Sequence, residues 1–325
     1  MAQLDKIEEL VTRLKNKDKI ALARLISIVE NSPEMAKIIF KNFDHLLKKA
    51  YIVGITGSPG VGKSTLLGKI AKKLMDQGKS IGIISVDPSS PYSGGAFLGD
   101  RIRMTNLTMN PKLYMRSLAS RGVTGGLSRA TFDICLLMEA FGKDIILIET
   151  VGAGQSEVDI IKLAYTNIVI VAPGMGDSIQ IQKAGILEIA DIFVVNKCDL
   201  GGDDIVAQFE MMLDDAITYS GLTGWRPSAI QTNGLTGEGI DELIEELWNH
   251  KEHVELSGIL DEKRKTMIKN KILDLIKYEV QKYILSGLIN EDELKKMISS
   301  IFNEEFSIFE GAETIIEKFF SKLKK

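Results

Sequence analysis

Residues 51–75 read YIVGITGSPGVGKSTLLGKIAKKLM, and the order of textures in this stretch decides the fold. Tyr51 to Thr56 is a short apolar run with β-branched residues, which predicts a buried strand, and the spacing after Gly62 predicts a helix from Lys63 to about Met75. Between them, Gly57-Ser58-Pro59-Gly60-Val61-Gly62-Lys63-Ser64, followed by Thr65, fits the pattern G-x-x-x-x-G-K-[ST]. Each part has a reason. The glycines let backbone N–H groups converge on a β-phosphate at the positive end of a helix, Lys63 brings a point charge to the β and γ oxygens, and Ser64 offers a hydroxyl to Mg²⁺. A turn that binds nothing would explain the glycines, but not the Lys-Ser pair between a strand and a helix.

Outward from this stretch, apolar runs and amphipathic helical stretches alternate up to about His250. Further strands are expected near Ile81–Val86, Ile145–Glu149, Asn167–Ala172 and Ile192–Asn196, with a short one at Ser228–Ile230. Runs such as IILIE and IVIVA are apolar throughout, as strands of a parallel sheet covered on both faces must be. The fold class expected is therefore α/β, a P-loop NTPase with a doubly wound, mainly parallel sheet. Residues 1–49 read as a helical extension, with Leu4, Ile7, Val11 and Leu14 and then Leu22, Leu25, Ile26 and Val29 at helical spacing around a break at Asn31-Ser32-Pro33. Residues 50–253 form the nucleotide domain. Residues 254–325 read as a second helical extension, interrupted at Ser286-Gly287 and restarted by an N-cap at Asn290.

The strand Ile192-Phe-Val-Val-Asn196 runs into Lys197-Cys198-Asp199, an N-K-x-D sequence at the carboxyl end of an expected parallel strand. A carboxylate only accepts hydrogen bonds, so Asp199 suits guanine, whose N1–H and N2 amine both donate on one edge, and repels adenine, whose N1 is a bare acceptor. Asn196 can bond the purine edge and tie this loop to the phosphate loop, while the Lys197 stem covers the ring. Asn233-Gly234-Leu235, within QTNGLTGEG, is a candidate source of backbone N–H groups for guanine O6, though an ordinary turn uses the same residue types. Asp87 and Asp100 are candidate Mg²⁺ or water-holding ligands; an Asp-Pro turn and a helix cap are their respective alternatives.

Glu149-Thr-Val-Gly152-Ala-Gly154-Gln155 follows another expected strand, with Gly152 placed to sense a γ-phosphate. In small Ras-like GTPases this position reads D-x-x-G-Q, the Gln orienting water. Here the acid is Glu149 and Gln155 lies two residues further on, so intrinsic hydrolysis is expected to be slow and to depend on a partner or on dimerisation. Lys63, Glu149, Gly152 and Gln155 are the catalytic candidates, and Arg101, Arg103 and Arg121 are weighed as charge stabilisers or plain surface residues.

Composition narrows the alternatives. The 325 residues are 45% hydrophobic and 26% charged, ordinary globular values that exclude disorder. A net charge of −4 gives no basic face for nucleic acid, and no apolar run approaches the ~20 residues of a membrane span. Two cysteines, Cys135 and Cys198, provide neither a disulfide framework nor a thiolate zinc site, so a reducing, cytoplasmic setting is expected.

With these residues assembled, the sequence resembles the G-protein chaperones of adenosylcobalamin-dependent acyl-CoA mutases, the methylmalonyl-CoA mutase-associated GTPases of MeaB and ArgK type. The resemblance is carried by 57–64, VDPSSPYSGGAFLGDRIRM at 86–104, RGVTGGLS at 121–128, ETVGAGQSE at 149–157, Ala172-Pro173-Gly174 and KAGILEIADIFVVNKCD at 183–199. It implies a SIMIBI-class GTPase using GTP/GDP and Mg²⁺, a homodimer built through the C-terminal arm, and a role in loading and protecting the mutase cofactor. It also implies that Ser64, Asp87, Asp100 and Glu149 gather at the metal and that a mobile loop spans about Gly174 to Lys183. The family usually carries Ser-Ala where Asn233-Gly234 stands, which puts the side-chain contribution there in question. No D-x-H-x-x-G arrangement occurs, and His45, His250 and His253 read as surface helix residues, so no cobalamin site of its own is expected. Two other functions share the domain class. A small-molecule kinase would need an acceptor pocket and a spare base, and a nickel metallochaperone would need His-rich or paired Cys ligands.

Overall fold

The computed structural model describes residues 2–43, 50–87, 109–119, 126–150, 163–174, 190–220 and 224–323. Three helices lead, α1 (Ala2–Lys15), α2 (Lys19–Asn31) and α3 (Pro33–Phe40), and then β1 (Tyr51–Gly57), α4 (Lys63–Asp76), β2 (Ile81–Asp87), β3 (Leu113–Ala119), α5 (Gly126–Ala140) and β4 (Ile145–Glu149). They are followed by β5 (Thr166–Val171), β6 (Ile192–Asn196), α6 (Asp203–Ser220), β7 (Ser228–Thr232) and α7 (Ile240–Leu256). The last described elements are α8 (Ile259–Tyr283), a π turn at Ile284–Leu288, α9 (Glu291–Phe302) and α10 (Ile308–Leu323). Contacts divide the chain into compact units at Met1–Arg264 and Lys265–Lys325.

The seven strands form one sheet in the order β3-β2-β4-β1-β5-β6-β7, every pairing parallel. β1 is central, flanked by β4 and β5, and the chain leaves it at the point where the two halves of the sheet wind in opposite directions, which is where α/β sheets bind ligands. Parallel pairing also brings all carboxyl ends to one edge. Gly57, Glu149, Asn196 and Thr232 therefore end neighbouring or near-neighbouring strands on one rim.

The interior strands β1, β4, β5 and β6 are buried along their whole length. β5 begins at Thr166 and ends at Val171, one residue earlier at each end than the apolar run suggests. β3 is the strand the sequence does not announce. Its residues Tyr114, Met115, Arg116 and Ser117 are half-buried at the sheet edge, so nothing requires the apolar run that marks an interior strand.

The N-terminal helices are part of the first unit. Leu14, Leu22, Leu25 and Ile26 are fully buried, and α2 packs on α5. Asp18 caps α2, accepting from the N–H of Ile20 at 2.8 Å and Ala21 at 3.4 Å. Arg116 of β3 donates to Glu30 of α2 at 2.6 Å. Three lysines fasten the opposite rim: Lys17 to Phe141 O at 2.5 Å, Lys19 to Leu113 O at 3.1 Å, and buried Lys143 to Lys112 O at 2.8 Å.

The reading of His250 as a surface residue is corrected. It is 1% exposed, its Nδ1 lies 2.7 Å from Thr166 Oγ1 and its Nε2 3.3 Å from Asp191 Oδ1. The Tyr51 hydroxyl lies 2.7 Å from the same Thr166 oxygen, and burial pushes that phenol well above its ordinary pKa. Helical periodicity shows which face of α7 turns inward, but not that a polar partner waits there. His253 is half-buried beside Trp225, their rings 5.4 Å apart, and His45 lies outside the described residues.

In the second unit the expected interruption near Ser286-Gly287 is a widened π turn, and the helix restarts with Asn290 Oδ1 accepting from Glu293 N at 2.8 Å. α9 and α10 pack together, with Lys318 3.1 Å from Glu293. Among the described residues no helix is long and apolar enough to cross a membrane.

Candidate nucleotide-binding site

The phosphate loop has the geometry its sequence requires. Gly57, at φ +146°, packs so closely on Ile170 O that a side chain would collide with the neighbouring strand, and Gly62, at φ +97°, lies against the Asn196 amide. Gly62 also caps α4, whose first turn holds Lys63 and no acidic residue, so the helix N-terminus faces the loop with its positive end undiminished. Lys63 is 8% exposed, with Nζ donating to Gly57 O at 2.7 Å and Ser58 O at 3.1 Å. Its ammonium is thus curled back over the loop that a phosphate would occupy.

At the neighbouring strand end, buried Glu149 accepts from Ser64 Oγ at 2.7 Å through Oε1 and from Ser85 Oγ at 3.1 Å through Oε2. Thr150 is tied to β1 through Thr56 Oγ1 at 2.9 Å, which fixes the start of the loop after β4. One carboxylate and two hydroxyls form an all-oxygen donor set, which fits Mg²⁺ with waters and phosphate oxygens as its remaining ligands. Ser64 and Glu149 are the residues that would hold it. Ser85 was not anticipated; its signal is a single hydroxyl in the otherwise apolar run IGIISV, two residues before Asp87. Asp87 ends β2 in register with Ala119, but its side chain, like all of Asp100, Gly152, Gln155, Arg101, Arg103, Arg121 and the segment 175–183, lies outside the described residues.

The phosphate loop, the N-K-x-D loop and the loop after β7 are joined by side chains. Asn196, 2% exposed, donates through Nδ2 to Val61 O at 2.7 Å, and its Oδ1 accepts from Gly234 N at 2.9 Å and Thr232 Oγ1 at 3.2 Å. The expected tie between the phosphate loop and the N-K-x-D loop is therefore present, and it extends to the loop after β7. Lys197 adopts φ +62°, a left-handed conformation costly for a non-glycine residue. Asp199 is exposed and accepts from Asn233 Nδ2 at 2.8 Å. Burial pushes the Cys198 thiol up, with the Glu238 carboxylate beside it adding to the shift.

Around Asn233 the backbone donors are already engaged. Gly234 N–H goes to Asn196, Leu235 and Thr236 N–H both go to Asn233 Oδ1 at 2.9 and 3.2 Å, and Gly237 N–H goes to Asn233 O at 2.8 Å. Residues 233–235 thus lie beside the N-K-x-D loop, with the N–H groups of Gly234 and Leu235 turned onto side-chain oxygens and that of Asn233 onto Glu238 O.

A family model described as methylmalonyl-CoA mutase-associated GTPase MeaB matches residues 22–287. The chain belongs to the MeaB family of GTPases. A Pyrococcus horikoshii relative bearing a GTPase name is 45% identical over 313 residues, covering 96% of this chain and 98% of its own. The methylmalonic aciduria type A homolog of Mus musculus is 31% identical, covering 97% of this chain and 80% of its own. Among solved structures, one described as a LAO/AO transport system kinase superposes with a TM-score of 0.68 at 24% identity, covering 96% and 97% of the two chains, a likeness of fold alone. As a MeaB-family GTPase the chain is a guanine-nucleotide protein, and its phosphate loop, Glu149 and N-K-x-D loop converge on one rim of the sheet.

Proposed function

We propose that this MeaB-family GTPase binds Mg²⁺-GTP at the carboxyl rim of its sheet and uses hydrolysis to gate cobalamin loading onto, and protection of, an adenosylcobalamin-dependent acyl-CoA mutase. The observation that carries the nucleotide part is Asn196, whose one side chain grips Val61 of the phosphate loop and Gly234 of the base loop. That grip sets the separation between phosphate and base sites. Lys63 exchanges its carbonyl partners for β- and γ-phosphate oxygens, the amides of Gly60 to Thr65 surround the β-phosphate, and Asp199 accepts from the guanine N1–H and N2 amine. Ser64 and Glu149, with Asp87 and Asp100 as further ligands, would hold Mg²⁺, which would supply charge neutralisation at the phosphates. Gly152 is placed in the sequence to report the γ-phosphate, and the two-residue offset of Gln155 from the usual water-orienting position leaves intrinsic turnover slow until a partner or dimerisation accelerates it.

The mutase assignment is supported by the family's description and by the name of the mouse relative. A homodimer is supported by α8, where Ile268, Ile272, Ile276 and Val280 recur every fourth residue and are all substantially exposed. Two measurements test the proposal. Calorimetry with Mg²⁺ should give GTP binding far tighter than ATP binding, and pull-down from native lysate should recover an acyl-CoA mutase in a manner that differs between a GTP analogue and GDP. Equal binding of ATP and GTP removes the base assignment, and recovery of no mutase in either state removes the chaperone role. Labelled γ-phosphate appearing on a small-molecule acceptor, instead of as inorganic phosphate, would favour a kinase.

A further inference from the structure

We propose that Asn233 is a positioning residue for guanine discrimination: its buried amide holds the exposed Asp199 carboxylate in the orientation that accepts from a purine 2-amino group. The proposal rests on the guanine reading above and deepens it. An exposed aspartate ordinarily samples several rotamers, and freezing it costs free energy at the moment of binding. Asp199 is the exposed partner, whereas Asn233 is 6% exposed and fixed on every side.

The orientation of the Asn233 amide is over-determined. Its Oδ1 accepts two backbone donors, Leu235 N and Thr236 N, so the oxygen must face the loop and the NH₂ must face the carboxylate, to which it donates at 2.8 Å. Its own backbone closes the same turn, with Asn233 N donating to Glu238 O at 3.0 Å and Gly237 N donating to Asn233 O at 2.8 Å. A serine at this position has one short hydroxyl oxygen for every partner, whereas the amide puts its donor on Nδ2, facing Asp199, and its acceptor on Oδ1, facing the Leu235 and Thr236 N–H groups. In this chain the loop therefore contributes a rigid side-chain donor, while its backbone N–H groups from Gly234 to Gly237 are spent within the protein. Base choice then depends on how firmly Asp199 is aimed.

The experiment compares GTP with inosine triphosphate, which lacks only the 2-amino group, and with ATP, by calorimetry on the full chain with Mg²⁺. Wild type should bind GTP at least about tenfold more tightly than inosine triphosphate, the size expected for a hydrogen bond to a charged acceptor. Asn233→Ala should weaken GTP by about tenfold and inosine triphosphate far less, so that discrimination collapses. Asn233→Ser should restore part of that ratio through its hydroxyl and keeps the test available if the alanine variant folds poorly. A purely structural role for the turn would weaken both nucleotides equally, and an unchanged ratio in both variants overturns the proposal. A wild type that holds ATP as tightly as GTP removes the guanine reading itself, a different failure from a wild type that selects GTP with Asn233 irrelevant.

Discussion

Gly62 occupies a point where three constraints meet: a left-handed backbone, the first turn of α4 and the Asn196 side chain packed against its Cα. Gly62→Ala must pay about 1–2 kcal/mol for the backbone alone and displace Asn196 as well, so nucleotide affinity should fall at least about tenfold while the far-ultraviolet dichroism stays native. Retained affinity would contradict the close packing of Asn196. At the opposite rim, Lys143 is buried with Lys19 and Lys17 nearby; burial first, then those like charges, pull its pKa from 10.5 down to about 8. Its folded pKa lies below its unfolded one, so between about pH 8 and 10.5 the unfolded chain binds more protons and stability gains as pH rises, whereas below pH 8 the full cost of the buried charge is carried. The neutral amine keeps N–H donors for Lys112 O and Ser80 Oγ. Urea unfolding at pH 7.5 and pH 9.5 should therefore show wild type gaining stability relative to Lys143→Met, and a constant difference would refute the assignment.

Elements differ in how plainly the sequence speaks of them. β1, β4, β5 and β6 are covered on both faces and written in Ile, Val and Leu, so an apolar run is enough to find them. β3 packs on one neighbour only, and its Arg116 serves a helix contact that no strand pattern encodes. The phosphate loop and N-K-x-D loop were legible because their chemistry is local in sequence. Ser85 and the buried setting of His250 were not, and Asn233 was named only for backbone donors and not for its side chain, since each acquires meaning from a residue 64, 84 and 34 positions away respectively. The N-terminal helices illustrate the energetic side: Leu25 is fully buried in α2, the helix that packs on α5 and is tethered to β3. Leu25→Ala should cost about 2–5 kcal/mol and lower the denaturant midpoint of the whole first unit; loss confined to the helical signal, with the nucleotide site unaffected by denaturant, would show the extension to be a separate folding unit.

For the whole molecule, the second unit differs from the first in what it leaves uncovered. Ile272 is 51% and Ile276 54% exposed on one stripe of α8, an arrangement that in water favours self-association. The double variant Ile272→Glu, Ile276→Glu should be monomeric by light scattering at micromolar concentration under conditions where wild type is dimeric, with GTP affinity unchanged because neither residue belongs to the first unit. A monomeric wild type would remove the dimer. The Asn196 grip carries a different lesson, one for engineering. Grafting the four residues 196–199 onto another strand would transplant the letters of base recognition without their bearings, because Val61, Gly234 and Asn233 supply the frame in which those letters are read. Redesigning this chain for a new nucleobase is consequently a task for three loops changed in concert.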